Sequence, residues 1–191
     1  MTIENFIKER NRIALAFLQL KKEKNFSRIP ADKRIDLINE VWSVGENLAS
    51  WAMAETDETD PRKIAEKLGV VIFGADRGNL KKSEYRKKEK EIVIFRDALE
   101  RLTSEIVVPE LSEKILRFLV SYELFHHLEN TKTGFIYKRF KFPLRFGFNF
   151  YLKSLSEVAA LAFTQKLISL ELSPQVFDYL VYILFNSDFK A

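Results

Sequence analysis

Turn-forming residues are scarce in this sequence. Its 191 residues include only 6 glycines and 5 prolines. β-Sandwiches and barrels consist of many short strands joined by turns, so this scarcity argues against both architectures. Hydrophobic residues make up 47% and charged residues 30% of the chain, which is typical of a soluble globular protein. We therefore expect one helix-rich domain, or one domain with an appended helical piece.

Two long helices are predicted in the N-terminal part of the chain. Apolar residues recur at helical spacing over residues 4–24 and again over residues 30–54. Pro30 suits the first turn of the second helix. We expect these helices to form an antiparallel hairpin, and we assign residues 1–55 to an N-terminal extension and residues 56–191 to the main domain.

A short helix and three strands are predicted next. Asp60 and Pro61 are favourable as N-cap and first helical residue, and Gly69 is favourable at the end of that helix. Strands are expected where β-branched and aromatic residues cluster between turn formers. These strands cover residues 70–73, 83–86 and 91–95. Together they predict a small antiparallel sheet.

The C-terminal half is predicted to be helical around one irregular stretch. Pro109 begins a long helix that ends near Glu129. Residues 131–148 have no clear period and are assigned to a loop. Other helical segments are expected at residues 97–102, at residues 150–170 and from Ser173 to about Asn186. Because strands and helices do not alternate as βαβ units, the predicted fold class is α+β, mostly α.

The composition excludes several kinds of site. Cysteine is absent, which excludes disulfides, thiolate metal sites and a cysteine nucleophile, and the only two histidines are His126 and His127. No apolar run approaches the roughly 18 residues that a membrane span needs, and no signal-peptide core is visible near the N-terminus. We therefore expect a cytoplasmic protein without a membrane partner. The net charge of +4 does not by itself require a nucleic-acid partner.

Glu123 and His126 lie three residues apart on the predicted long helix, a spacing that also occurs in zinc peptidases. In the zincin motif His-Glu-x-x-His, two histidines at i and i+4 face one zinc ion, and the glutamate polarises the attacking water. Glu123 and His126 match the glutamate and the second histidine of that motif. Tyr122 occupies the position of the first histidine. A Glu-x-x-His run alone is a weak signal because it occurs often by chance.

The elements around this motif strengthen the signal. In chain order they are the capped helix and strand of residues 61–73, the strand of residues 91–95, the helix of residues 118–129, and the run Glu157-x-x-Ala160-x-x-Phe163 followed by Ser173-Pro174. Over residues 61–175 the chain resembles the ImmA/IrrE-type metallopeptidases. The resemblance implies a zincin-like fold and zinc-dependent peptide hydrolysis. It also implies that Glu123 is the general base and that His126 and Glu157 are metal ligands.

Tyr122 departs from the family pattern, because a catalytic zinc normally has three protein ligands and an open water position. The interpretation we favour is a scaffold that has lost its metal, in which Tyr122 fills the ligand space and donates a hydrogen bond to Glu157 or His126. Two alternatives remain open: an altered site with a Tyr122 phenolate ligand or with manganese or iron, and a working zinc peptidase. We therefore expect a non-catalytic or weakly active protein without a cofactor, with zinc as the metal if one is bound.

Residues 131–153 combine cations with aromatic rings and contain no acidic residue. The candidate binding residues in this segment are Lys138, Arg139, Lys141 and Arg145. Basic residues attract phosphates and exposed rings stack on bases, so nucleic-acid binding is one interpretation. The pattern favours another, in which the rings pack into the core and the cations reach solvent. By the family resemblance this segment would rim the cleft, where a peptide or protein partner is a further alternative.

Overall fold

The computed structural model describes residues 3–76, 81–97, 100, 109–144 and 148–170. The helices are α1 Ile3–Lys21, α2 Ala31–Thr56, α3 Pro61–Lys67, α4 Pro109–Leu128 and α5 Ser154–Leu167. The strands are β1 Val71–Ala75, β2 Ser83–Arg86, β3 Glu91–Phe95, β4 Phe142–Pro143 and β5 Asn149–Phe150. The class is α+β and mostly helical, as predicted. Within the described ranges, no helix combines the length and apolarity needed to cross a bilayer.

The last predicted helix, from Ser173 to Asn186, lies outside the described residues, and so does most of the predicted helical turn at residues 97–102.

Helices α2 and α5 form the centre of the hydrophobic core. Among the described elements, these two make the most extensive contact. Gly45 lies where they meet, and a Cβ atom there would stand only 2.7 Å from Ala162 Cβ and 2.9 Å from Phe163 N. The missing side chain therefore allows close helix contact. Buried residues of α1, α2 and α5 belong to one hydrophobic cluster, so the core extends across residue 55. The division of the chain at that residue stays a prediction from the sequence.

Helix α3 begins after Asp60 because that side chain caps it. Asp60 Oδ1 accepts the backbone N–H of Arg62 at 2.9 Å, and Arg62 Nη2 lies 2.7 Å from Asp60 Oδ2. The hydrogen bond from the Arg62 side chain lowers the pKa of Asp60 to about 2. Gly69 follows the helix with φ +72°, a conformation that favours glycine. Both predicted helix-end signals are confirmed.

We expect Asp60→Asn to lower the free energy of unfolding by about 1 kcal/mol at pH 7, because Asn retains a capping oxygen but not the charge that Arg62 binds. The pKa of Asp60 is lower in the folded state, about 2 against 3.8. Its stabilising contribution is therefore complete above about pH 4 and is lost as the pH falls through 2. Urea unfolding between pH 7 and pH 2 measures the difference between the two proteins, which should shrink steadily below pH 4.

Glu113→Gln is the matched control for this experiment, because Glu113 is the more exposed carboxylate partner of Arg62. We expect it to cost less than Asp60→Asn. A loss in Asp60→Asn that stayed constant with pH would contradict the charge argument.

β3 is the central strand of a three-stranded sheet with the order β1-β3-β2. β2 and β3 pair antiparallel, whereas β1 pairs parallel with β3. The sheet is therefore mixed, and the predicted antiparallel sheet is wrong for β1. The strand order explains why the two pairings differ. β2 lies at the edge opposite β1 and runs antiparallel to it, and β3 then turns back between them, parallel to β1. Strand periodicity contains no information about this order.

The described residues that follow α4 contain short elements of secondary structure where the sequence predicted a loop over residues 131–148. A π-helical turn covers Glu129–Thr133, and a 3-10 turn covers Ile136–Arg139. Strands β4 and β5 then pair antiparallel before α5 begins. Elements of two to five residues are too short to show a period, which explains why the sequence pattern missed them.

Helix α4 contacts β2 and β3 as well as α5. Consecutive side chains of a helix project about 100° apart, so adjacent residues of α4 lie on different faces of the helix. Tyr122 and His126 reach toward α5, whereas Glu123 and His127 reach toward β2. The predicted site residues therefore divide between two surfaces of one helix.

Candidate functional site

Tyr122 and His126 approach Glu157 from the same side of α4. They stand one helical turn apart, and their rings meet edge to face with centroids 5.3 Å apart. The Tyr122 hydroxyl donates a hydrogen bond to Glu157 Oε2, and His126 Nε2 lies 4.0 Å from the same oxygen. Of the two partners that the sequence interpretation allowed for the Tyr122 hydroxyl, Glu157 and His126, it is Glu157 that accepts this hydrogen bond. Glu157 is positioned for it by the first turn of α5.

Glu123 turns away from this group and toward the sheet. Ser83 Oγ, on the outer strand β2, donates to Glu123 Oε1 at 2.7 Å. The backbone N–H of Tyr85 also donates to this carboxylate. Burial raises the pKa of Glu123, although both hydrogen bonds and the nearby His126 oppose the rise. The carboxylate is thus held by β2, while its charge still acts on His126.

Glu129 is a site residue that the sequence analysis missed. Its Oε2 lies 3.6 Å from His126 Nδ1, and its Oε1 accepts the Ile136 backbone N–H at 2.8 Å and the Ser156 hydroxyl. Burial alone would raise the pKa of Glu129, but the contacts with His126, Ser156 and Ile136 lower it overall. The one available signal was its position three residues after His126, which places both side chains on neighbouring helix positions.

His126 lies between two carboxylates. Burial disfavours its protonated form, but the contact with Glu129 and the charges of Glu157 and Glu123 outweigh burial and raise its pKa. Glu129 meets Nδ1 and Glu157 meets Nε2, so both ring nitrogens have acidic neighbours. This arrangement favours a charged imidazolium that binds both acids.

His127 belongs to a different environment. Its Nδ1 lies 2.9 Å from the Tyr85 hydroxyl, and the two rings pack edge to face. Burial, together with the charge of Lys90, lowers the pKa of His127. The two adjacent histidines thus contact different elements and do not converge on one point.

Two cavities adjoin the hydrogen bond between Ser83 and Glu123, and both residues line each cavity. The smaller cavity, about 210 Å³, lies toward Tyr122 and Phe118. The larger is an open groove of about 420 Å³ that reaches His126 and Phe135. The side chains of α4 and β2 therefore form the floor of a cleft that is wider toward His126 and Phe135.

The residues present do not fit a resident catalytic zinc ion. Such an ion needs three protein ligands and an open position. His126 and Glu157 can supply two, but the Tyr122 hydroxyl is a hydrogen-bond donor to Glu157, and Glu123 is bound by Ser83. Across the described residues, no three His, Asp or Glu side chains are placed to hold a metal ion together.

The predicted binding residues lie outside this cleft. Lys138, Arg139 and Lys141 are all exposed, and Arg145 lies outside the described residues. Lys138 Nζ stands 5.0 Å from the centre of the Phe135 ring, and Arg139 donates to the Thr133 carbonyl at 3.0 Å. The described rings of this segment divide between core and surface. Tyr137, Phe140 and Phe142 pack against the core and Phe150 is buried, whereas Phe135, Phe148 and Tyr151 are exposed.

Comparison of the chain with protein-family models, with curated proteins and with solved structures finds no match. The structure itself shows an α+β class that is mostly helical, and it does not identify a family. The metallopeptidase resemblance and its residue roles stay predictions from the sequence.

Proposed function

We propose that this chain is a degenerate protein that resembles the ImmA/IrrE-type metallopeptidases but does not hydrolyse peptides. The observation that carries the proposal is the hydrogen bond from the Tyr122 hydroxyl to Glu157 Oε2. Tyr122 stands where the zincin motif needs a histidine, and Glu157 is the expected carboxylate ligand. The two side chains satisfy each other, so neither requires a metal ion.

The environment of His126 and Glu123 supports the same proposal. A histidine ligand binds metal through a neutral ring nitrogen. In the parent chain, where Tyr122 supplies no second imidazole, the carboxylates at both nitrogens of His126 raise its pKa, and a proton rather than a metal ion is favoured there. Glu123, the expected base, is held by Ser83 and by the Tyr85 backbone.

We expect the protein to retain far less than one zinc ion per chain. The protein, purified without a histidine tag, is dialysed against zinc and then against metal-free buffer, and its metal content is measured by elemental analysis. His126→Ala and Glu157→Ala should give the same low content as the parent chain, and peptide hydrolysis should stay at background. Near-stoichiometric zinc that is lost in both variants would overturn the proposal and support a working site.

A further inference from the structure

Two segments far apart in sequence form one positively charged surface. Glu23 Oε1 accepts the Ser154 backbone N–H at 2.6 Å, which places the end of α1 beside the start of α5. Arg28 lines a cavity of about 510 Å³ together with Pro143, Leu144 and Phe150. We call this surface the basic face. Its exposed cations are Lys22, Lys24, Arg28, Lys138, Arg139, Lys141 and Lys153.

Few acidic groups oppose these cations. Residues 131–153 contain no aspartate or glutamate. Of the carboxylates near these cations along the chain, Glu129 is buried and Glu157 accepts the Tyr122 hydroxyl. Glu23 and the exposed Asp32 lie closer, but the seven cations outnumber them. The charge of the basic face is therefore available to an anionic partner.

Aromatic rings form a row on the same surface. The Phe135 and Tyr137 ring centres lie 5.5 Å apart, and those of Tyr137 and Tyr151 lie 6.3 Å apart. Phe135 and Tyr151 at the two ends are 38% and 39% exposed, and Phe148 nearby is 69% exposed. Exposed rings cost free energy in water, so a row of them beside cations indicates a partner that has both flat apolar faces and negative charge.

We propose that the basic face binds single-stranded nucleic acid, with its lysines and arginines on phosphates and with Phe135, Tyr151 and Phe148 stacked on unpaired bases. Single strands offer both features, whereas the bases of a duplex are already stacked on each other. This inference goes beyond the proposed function, because Tyr122, Glu123, His126 and Glu157 take no part in it. Of its three rings, only Phe135 also lines the open groove beside His126.

The test measures fluorescence anisotropy of a labelled 20-nucleotide oligothymidylate titrated with the full chain at several salt concentrations. We expect binding that weakens with salt, with a log–log slope of about −2 to −3 if three or four phosphates are contacted. Tyr151→Ala and Phe135→Ala should each weaken binding by roughly 5-fold to 100-fold, the range for loss of one stacked base. Phe148→Ala repeats this test at a more exposed position, in case either of the other variants lowers the melting temperature.

Charge is tested separately from stacking. Lys138→Ala/Arg139→Ala removes two cations of the basic face, and Lys88→Ala/Lys114→Ala removes two exposed cations elsewhere. We expect a clear loss of affinity in the first pair and less than about a twofold change in the second. Three results would each overturn the proposal. They are an equal loss of affinity in both double variants, equal affinity for a duplex of the same length, and binding to phosphatidylserine vesicles but not to the oligonucleotide. None of these outcomes depends on whether the protein binds a metal ion, so this proposal and the proposed function can fail separately.

Discussion

Tyr122→His is expected to retain about one zinc ion per chain after dialysis, whereas we expect the parent chain to retain far less. The substitution places two histidines at i and i+4 on α4, which is the spacing that directs two imidazoles at one ion. It also removes the hydroxyl that donates to Glu157. The carboxylate then becomes the third ligand, which completes the set of a catalytic zinc site.

The surroundings of His126 already suit a metal ligand in that variant. Its Nε2 lies 4.0 Å from Glu157 Oε2, so a small shift of either side chain would let both bind one ion. Glu129, 3.6 Å from Nδ1, would hold the ring orientation from behind. A carboxylate in that position commonly raises the affinity of a histidine ligand for zinc.

Two controls separate ligand gain from simple loss of the hydroxyl. Tyr122→Phe also releases Glu157 but adds no ligand, so we expect it to retain no zinc. Tyr122→His combined with Glu157→Ala should lose the zinc that the single variant gains. Elemental analysis and competition with a coloured chelator measure both. A folded Tyr122→His protein without zinc would show that the three side chains cannot converge, and it would remove the main support for the metallopeptidase resemblance.

The parts of this fold that depend on neighbouring residues could be predicted from the sequence. Asp60 and Gly69 mark the ends of α3 through cap chemistry that involves only the adjacent turn. Strands β2 and β3 begin and end at the predicted residues, because β-branched and aromatic runs between polar turns are a local signal. The helical spacing also predicted that Tyr122 and His126 share one side of α4.

The parts that depend on distant residues could not be predicted in this way. The parallel pairing of β1 with β3 follows from the order of the strands, which no local pattern specifies. Glu129 stands one turn after His126, but its contacts with Ile136 and Ser156 depend on how the chain folds back after α4. The basic face brings residues 22–28 next to residues 138–144 and 148–153, which lie far from them in the sequence.

Glu157 combines both kinds of information. The motif resemblance predicted its role, but its position opposite Tyr122 depends on how α5 is seated against the rest of the core. α5 packs most extensively against α2, at Gly45. The geometry of the candidate site therefore depends on a helix contact in the segment predicted to be an N-terminal extension.

Gly45→Ala is accordingly expected to destabilise the protein strongly. The added Cβ would overlap the Ala159 carbonyl oxygen and stand 2.7 Å from Ala162 Cβ, so the backbones of α2 and α5 would have to separate. Overpacking of this kind costs about 1–3 kcal/mol or more, which exceeds the gain of about 1 kcal/mol in helix propensity. We expect a net loss of about 2 kcal/mol and a fall in melting temperature of roughly 4–8 °C.

Ser50→Ala is the matched control, because Ser50 is an exposed residue of the same helix and its replacement meets no opposing backbone. It should leave the melting temperature within about 2 °C of the parent value. Ala162→Gly in the Gly45→Ala background should restore only part of the loss, since the overlap with the Ala159 carbonyl oxygen persists. Thermal unfolding followed by circular dichroism measures all three proteins. An unchanged or higher melting temperature for Gly45→Ala would mean that α2 and α5 are not in close contact at this residue, and the position of Glu157 opposite Tyr122 would then lose its structural basis.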